Sequence, residues 1–351
     1  MKTHLTLAAT FAACATGAFA GGIDRSGQSV AVIFEEGNHF EANLSYAIPK
    51  VSGAAGPAES GDMAGDYMQF GFAYKTDLND KVSLAVIADE PFGADVSYPT
   101  GTPYPLAGTS AEVDSFAITV LGNYQATDRI SVHGGIRLVT ASGFYNAPVV
   151  PYASTYSSAS DVGYVIGAAY EIPDIALRAA LTYSSATEFS MDGTVGNLTA
   201  KMPQSVNFEF QTGIAADTLL MASVRWADWS EATIDDDLAG NLTDFGNKDT
   251  YTYTLGVGRR FSDKFSGSFT IGYEKAAGDL TGNLAPTDGY WSASIGGEYD
   301  LGNGAKISGG IQYRAIGDAT TQAPGAPAGT PFGTFTNNNA VAFGVKFSQT
   351  F

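Results

Sequence analysis

Phe40-Glu41-Ala42-Asn43-Leu44-Ser45-Tyr46-Ala47-Ile48 is the stretch on which the fold turns. Its even positions are apolar and its odd positions mostly polar. A period of two means an extended chain with two unlike faces. Met68, Phe70, Phe72 and Tyr74 repeat the pattern against Gln69, Gly71, Ala73 and Lys75. A soluble sandwich alternates in the same way, but its strands run to ~5–6 residues. A tilted strand that crosses a bilayer needs ~9–11. Runs of this length therefore predict membrane-crossing strands with lipid on one side.

The alternation recurs in fourteen segments, near 39–48, 67–76, 81–89, 113–124, 129–140, 161–170, 175–184, 203–214, 219–229, 249–261, 265–276, 288–299, 304–316 and 339–351. Six connections are tight: 77–80, 125–128, 171–174, 215–218, 262–264 and 300–303. Seven are long and rich in Gly, Pro, Ser, Thr and Asn, such as 90–112, 141–160 and 317–338. Short turns on one rim and long loops on the other is the outer-membrane pattern, with the turns in the periplasm. In hydrocarbon every backbone N–H and C=O must be paired, so the sheet must close. Asn339 to Phe351, with Val341, Phe343, Val345 and Phe347 facing lipid, is expected to pair with the first strand and bring Lys346 beside Glu41. A last strand ending on an aromatic, here Phe351, is also the mark read by barrel-insertion machinery. The expected fold is all-β: a transmembrane antiparallel β-barrel of about 14 strands over 39–351, with 21–38 as a short N-terminal luminal plug.

Composition agrees. The 351 residues carry 18 Lys+Arg against 36 Asp+Glu, a formal net charge of −18 with no basic run, which excludes a nucleic-acid binder. A single Cys excludes a disulfide framework. Only 15% of residues are charged, against ~25% in an average soluble domain, yet nothing approaches the ~20 apolar residues of a spanning helix. Residues 1–20 read as a signal peptide: Lys2 in a short basic start, apolar Leu5 to Ala13, and a small-x-small cleavage site at Ala18-Phe19-Ala20. The competing lipobox, Phe11-Ala12-Ala13-Cys14, has Phe where Leu is usual. The expected location is the outer membrane of a Gram-negative bacterium.

Four places add a family likeness. They are Glu90-Pro91-Phe92-Gly93 after the third strand; Met202-Pro203-Gln204-Ser205 with Arg225-Trp226-Ala227-Asp228-Trp229-Ser230; Ala285-Pro286-Thr287-Asp288-Gly289-Tyr290-Trp291 with Tyr299-Asp300-Leu301-Gly302; and Phe343-Gly344-Val345-Lys346-Phe347. In these the chain resembles the FadL/TodX-type outer-membrane transporters of long-chain fatty acids and other hydrophobic compounds. The resemblance implies a monomeric fourteen-stranded barrel with an N-terminal hatch. It also implies capture of ligand by the outer loops and sideways release through a wall opening near the third strand. The chain departs from the pattern in its short plug, Gly21 to Asn38, and in lacking the Asn-Pro-Ala hatch motif.

The lumen-facing register holds Arg137, Arg178, Arg225, Arg260, Arg314 and Lys346, with Glu41, Glu209, Glu274 and Glu298. The bland reading is that these pair across the barrel; Glu209 and Arg225, flanking one turn, are expected neighbours. The sharper reading is that Arg137, Arg225 or Arg314 holds a fatty carboxylate, since each lies well away from its short turn. Trp226, Trp229 and Trp291, at strand ends by the long loops, form either an interfacial girdle or a greasy capture groove. His133 reads as a lumen hydrogen-bonder. Asp235-Asp236-Asp237 reads as a solvated loop run rather than a bridge to cations at the lipopolysaccharide surface.

No HExxH, GxSxG or CxxC is present, so no catalysis, metal or cofactor is expected. Gly256-Val257-Gly258 lies inside a strand and fails the nucleotide context. The function expected is passive outer-membrane transport of hydrophobic compounds, long-chain fatty acids first, with a hydrophobic small molecule and outer-membrane lipid and lipopolysaccharide as partners. An aromatic hydrocarbon or a signalling lipid suits the same features. The rival is a general diffusion porin for small polar solutes, which usually has ~16 strands. A surface adhesin is a third class, supported by the long loops alone.

Overall fold

A strand wetted by lipid on one face and by the lumen on the other has nowhere to end sideways, and the chain resolves this by closing on itself. The computed structural model describes residues 23–243 and 249–351; the expected signal peptide, 1–20, with Cys14, lies outside the described residues. Among the described residues fourteen strands build the wall: β1 His39–Lys50, β2 Tyr67–Asn79, β3 Val82–Asp89, β4 Ser110–Gln125, β5 Ile130–Ala147, β6 Tyr152–Ile172, β7 Leu177–Ser184, β8 Ser205–Ala215, β9 Thr218–Ala227, β10 Thr250–Arg260, β11 Phe265–Glu274, β12 Tyr290–Gly302, β13 Ala305–Ile316 and β14 Asn339–Thr350. Each pairs antiparallel with its sequence neighbours, and β14 pairs with β1, so the sheet closes into a barrel.

The two faces follow the alternation. On β2, Met68, Phe70 and Phe72 stand exposed on the outer wall while Gln69, Ala73 and Lys75 are buried. At the seam Asn43 faces Lys346 and Glu41 faces Ser348. Lys346 therefore reaches diagonally, and its Nζ donates to Glu41 Oε2 at 3.1 Å. His39 Nε2 lies 3.7 Å from the same carboxylate.

The tight turns are made with left-handed backbone. Asp217 has φ 57° and Asn303 φ 55°, residue types that tolerate that region. Gly304 follows at φ 82°, and a Cβ there would sit 2.1 Å from the Thr350 carbonyl oxygen, so only glycine fits.

The long-loop side holds more structure than the alternation predicts. β5 and β6 run on to Ala147 and back from Tyr152, so most of the expected loop 141–160 is a hairpin beyond the wall. Outside lipid a strand needs no apolar outer face. The alternation therefore lapses, while Phe144, Tyr145, Tyr152 and Tyr156 still favour extended chain. Two four-stranded sheets also lie among the loops. One joins Thr187–Met191, Leu198–Met202, Thr233–Asp236 and Gly240–Asn241. The other joins Ala319–Gln322, Pro331–Phe335, Gly53–Ala55 and Ala58–Glu59.

Candidate functional site

The site begins with the segment ahead of β1. Val30, Val32 and Ile33, on and beside the 3-10 turn Ala31–Phe34, are buried against Ala73, Ala85, Ile87, Leu121 and Val165. This is the main apolar contact between the segment and the inner wall. The rest is tethered by polar groups. Asp24 Oδ2 accepts from Arg225 Nε at 2.7 Å. Ser26 Oγ donates to Asp89 Oδ2 at 2.5 Å, and Asn207 Nδ2 to the Gly27 carbonyl at 2.9 Å.

The segment also meets a break in the wall. β2 pairs with β1 up to Tyr67, but its ladder with β3 begins only at Phe72–Ala88. Tyr67 to Gly71 thus have no strand on that side. The chain turns away at Glu90-Pro91-Phe92, and Gly93–Ser97 then pairs with the far end of β4. The displaced residues bond inward instead. Arg25 N–H donates to the Pro91 carbonyl at 2.8 Å and Gly93 N–H to the Ile23 carbonyl at 2.9 Å. A Cβ on Gly93 would meet the Arg25 guanidinium carbon at 2.4 Å, so glycine admits that side chain.

Two cavities lie near this break. The lumen cavity, about 330 Å³, mixes hydroxyl, amide and charged groups, among them Asn207, Thr252, Glu274 and Arg314, with apolar surface from residues such as Ile87, Phe210 and Met221. It also reaches Phe70 and Phe72, whose rings face lipid, so it extends to the breach. The second, about 50 Å³, lies among the loops and is walled by Ile23, Phe144, Tyr145, Met191, Leu198, Met202, Ile234, Leu242 and Leu284. Ile23 lines this one and Asp24 the other, so the N-terminal segment divides them. The loop cavity is almost wholly apolar.

The arginines named from sequence separate into two kinds. Arg137 is buried and committed: Nη2 lies 3.3 Å from Asp89 Oδ2 and Nε donates to Thr119 at 2.9 Å. Arg225 is held by Asp24, with Nη1 donating to Ser205 at 3.0 Å and Asn207 at 2.9 Å. Its expected neighbour Glu209 instead accepts from Ser29 at 3.5 Å. Arg314 is 4% exposed and its guanidinium carbon lies 3.9 Å above the Tyr290 ring. Its Nε has no hydrogen-bond partner among the described residues.

The tryptophans also divide. Trp226 donates Nε1–H to Asp249 at 2.7 Å. Trp291 is exposed and packs on Tyr273, ring centroids 4.4 Å apart. Trp229 is buried in the loop-side apolar cluster, edge-on to Phe92 at 6.3 Å, and also lines the lumen cavity. It stands between the two cavities. His133 Nε2 is bonded to Thr182 Oγ1 at 2.9 Å. Among the described residues no His, Cys, Asp and Glu cluster suits a metal ion.

Sequence reading missed Arg25, a second buried cation whose Nε has no partner among the described residues. It also missed the loop-pocket residues Met191, Leu198, Met202 and Leu242. Met191, Leu198 and Met202 lie in strands of five residues, and Leu242 follows one of two, so their alternation is too brief to stand out.

A closed lipid-facing barrel, crossed inside by its own N-terminal segment and breached beside it, defines an outer-membrane transport barrel. The family model described as outer membrane protein transport protein (OMPP1/FadL/TodX) matches residues 31–351, and the chain belongs to that family. No curated protein matches the sequence. Among solved structures, a Pseudomonas aeruginosa FadL homologue superposes with a TM-score of 0.76 at 12% identity, covering 92% of each chain. The Pseudomonas putida toluene transporter TodX superposes at 0.68 with 15% identity over 97% of each chain. The CymD monoaromatic hydrocarbon channel gives 0.61 at 13% identity, covering 91% of this chain and 89% of that one. Likeness at these identities speaks for the fold.

Proposed function

We propose that the protein passes hydrophobic small molecules into the outer membrane in three stages. The loop pocket captures the molecule. Movement of Trp229, Phe92 and the N-terminal plug admits it to the top of the lumen. The breach between β2 and β3 then releases it sideways into lipid. One observation carries this reading: an almost wholly apolar loop pocket and a gap in the wall lie on either side of the same short segment, Ile23 to Arg25. A hydrophobic molecule gains by leaving water for such a pocket, and the charged and hydroxyl groups of the lumen make the way down the barrel less favourable than the breach.

For the substrate, a long-chain fatty acid is favoured by Arg314. A buried guanidinium with an unused N–H on a cavity wall suits a carboxylate. A neutral aromatic hydrocarbon is the second reading, favoured by the loop pocket, whose lining contains no cation. The test is uptake of radiolabelled oleate and toluene by cells with and without the protein. Protein-dependent uptake of either supports the route, and oleate uptake supports the fatty-acid reading. Uptake of neither overturns both.

A further inference from the structure

Ladders of strands end for chemical reasons, and the β2–β3 ladder ends at Glu90. Its register sets Ala73 opposite Ile87 and Phe72 opposite Ala88. Continued, it would set Phe70 opposite Glu90 and Gln69 opposite Pro91. Instead Glu90 turns its side chain to the exposed strand: its Oε2 accepts Phe70 N–H at 3.0 Å, and its carbonyl accepts from Gln69 Nε2 at 3.1 Å. The Glu90 side chain thus supplies the acceptor for Phe70 N–H that the missing strand would have provided. Unpaired backbone at this depth would otherwise be costly.

The same residue opposes closure. Along β3, Leu84 and Val86 face lipid while Ser83, Ala85 and Ile87 are buried, so position 90 falls on the lipid-facing register. The rings of Phe70 and Phe116 come within 6.1 Å on that face. Extending the ladder would push the Glu90 carboxylate out beside them, where charge is disfavoured. Pro91 has no N–H to give β4, whose ladder with β3 stops at Asp89–Ala117. The displaced chain already has partners inside, because Phe92 N–H donates to Ser115 Oγ at 2.9 Å beside the Arg25 and Gly93 bonds.

We infer that Glu90 is the positioning residue of the wall opening, capping the bared β2 backbone in the open wall and barring β3 from zipping shut. The inference rests on the breach being the exit. Closure would remove the exit without touching the loop pocket or Arg314.

Wild type, Glu90→Gln and Glu90→Val in proteoliposomes provide the test, read by toluene and oleate uptake and by the temperature of heat-modifiability. The Gln amide oxygen can still accept Phe70 N–H, and Gln still resists the lipid face, so this variant should match wild type. Val suits both strand and lipid. Its uptake should fall roughly tenfold or more as the closed wall becomes the major state, while its unfolding temperature rises. Wild-type uptake by Glu90→Val, equal losses in both variants, or a lower unfolding temperature for Glu90→Val would each overturn the inference. If wild type carries neither probe, the transport reading fails by itself. The unfolding temperature then still decides whether Glu90 holds the wall apart.

Discussion

Arg314 carries the sharpest substrate prediction because its Nε is unbonded and no carboxylate is within salt-bridge distance of it among the described residues. Arg137 and Arg225 already hold Asp89 and Asp24. A charge-assisted contact is worth ~1.5–3 kcal/mol, so Arg314→Gln should weaken oleate binding by roughly ten- to a hundredfold with little change in barrel stability. Arg225→Gln should instead loosen the N-terminal segment, seen as faster proteolysis near Asp24. Equal oleate affinity in wild type and Arg314→Gln would remove the fatty-acid reading. Lys346 carries a second prediction, since it is buried at the seam while Lys306, paired with Glu298, is more exposed. Stranding one partner of a buried pair costs ~3–5 kcal/mol; Glu41, 25% exposed, would be left with His39 at 3.7 Å, whereas Glu298, 9% exposed, keeps the Ser308 hydroxyl at 3.3 Å. Lys346→Met should therefore lower the unfolding temperature more than Lys306→Met. The Lys346–Glu41 neighbourhood was legible in sequence, because closure fixes it. The Asp24–Arg225 pair was not. Its partners lie 201 residues apart, and the turn between β8 and β9 suggested Glu209 instead.

Strands and loops were legible to different degrees for one physical reason. The bilayer imposes length and alternation on β1 to β14, and both can be read from residues. The loop sheets answer only to pairing and burial, so their short strands leave little trace. The Asp run shows the cost of that blindness. Asp236, read as part of a solvated run, is buried and accepts from Tyr152 OH at 2.5 Å, Tyr156 OH at 2.7 Å, Leu238 N–H at 2.8 Å and Ala239 N–H at 2.7 Å. Burial pushes its carboxyl up, but these hydroxyl and amide donors outweigh burial and hold it below the usual carboxylate range. A depressed folded-state pKa contributes stability that is complete above the unfolded value of ~3.9 and is lost as pH falls through the folded value. Limited proteolysis of 228–243 should therefore be unchanged from neutral pH to about pH 4 and quicken only below it. Loosening already at about pH 6 would contradict the Asp236 geometry.

The barrel as a unit separates two kinds of surface that a porin would merge. Its almost wholly apolar pocket is in the loops, its lumen carries charged and hydroxyl groups and is crossed by residues 23–38, and its wall is breached near the long-loop rim. On the proposed route a hydrophobic molecule is passed across the rim and out through the side. Small polar solutes meet the N-terminal segment in the lumen. The class and the membrane were readable from alternation and loop lengths. The breach was marked only by Glu90-Pro91-Phe92-Gly93, whose chemistry emerges once Phe70 and Arg25 lie beside it. The most direct test of the route is flux into proteoliposomes, measured side by side for labelled toluene, labelled oleate and labelled glucose. The account predicts protein-dependent flux of a hydrophobic probe with little glucose. Fast glucose flux with neither hydrophobic probe carried would contradict it and make the protein a diffusion pore.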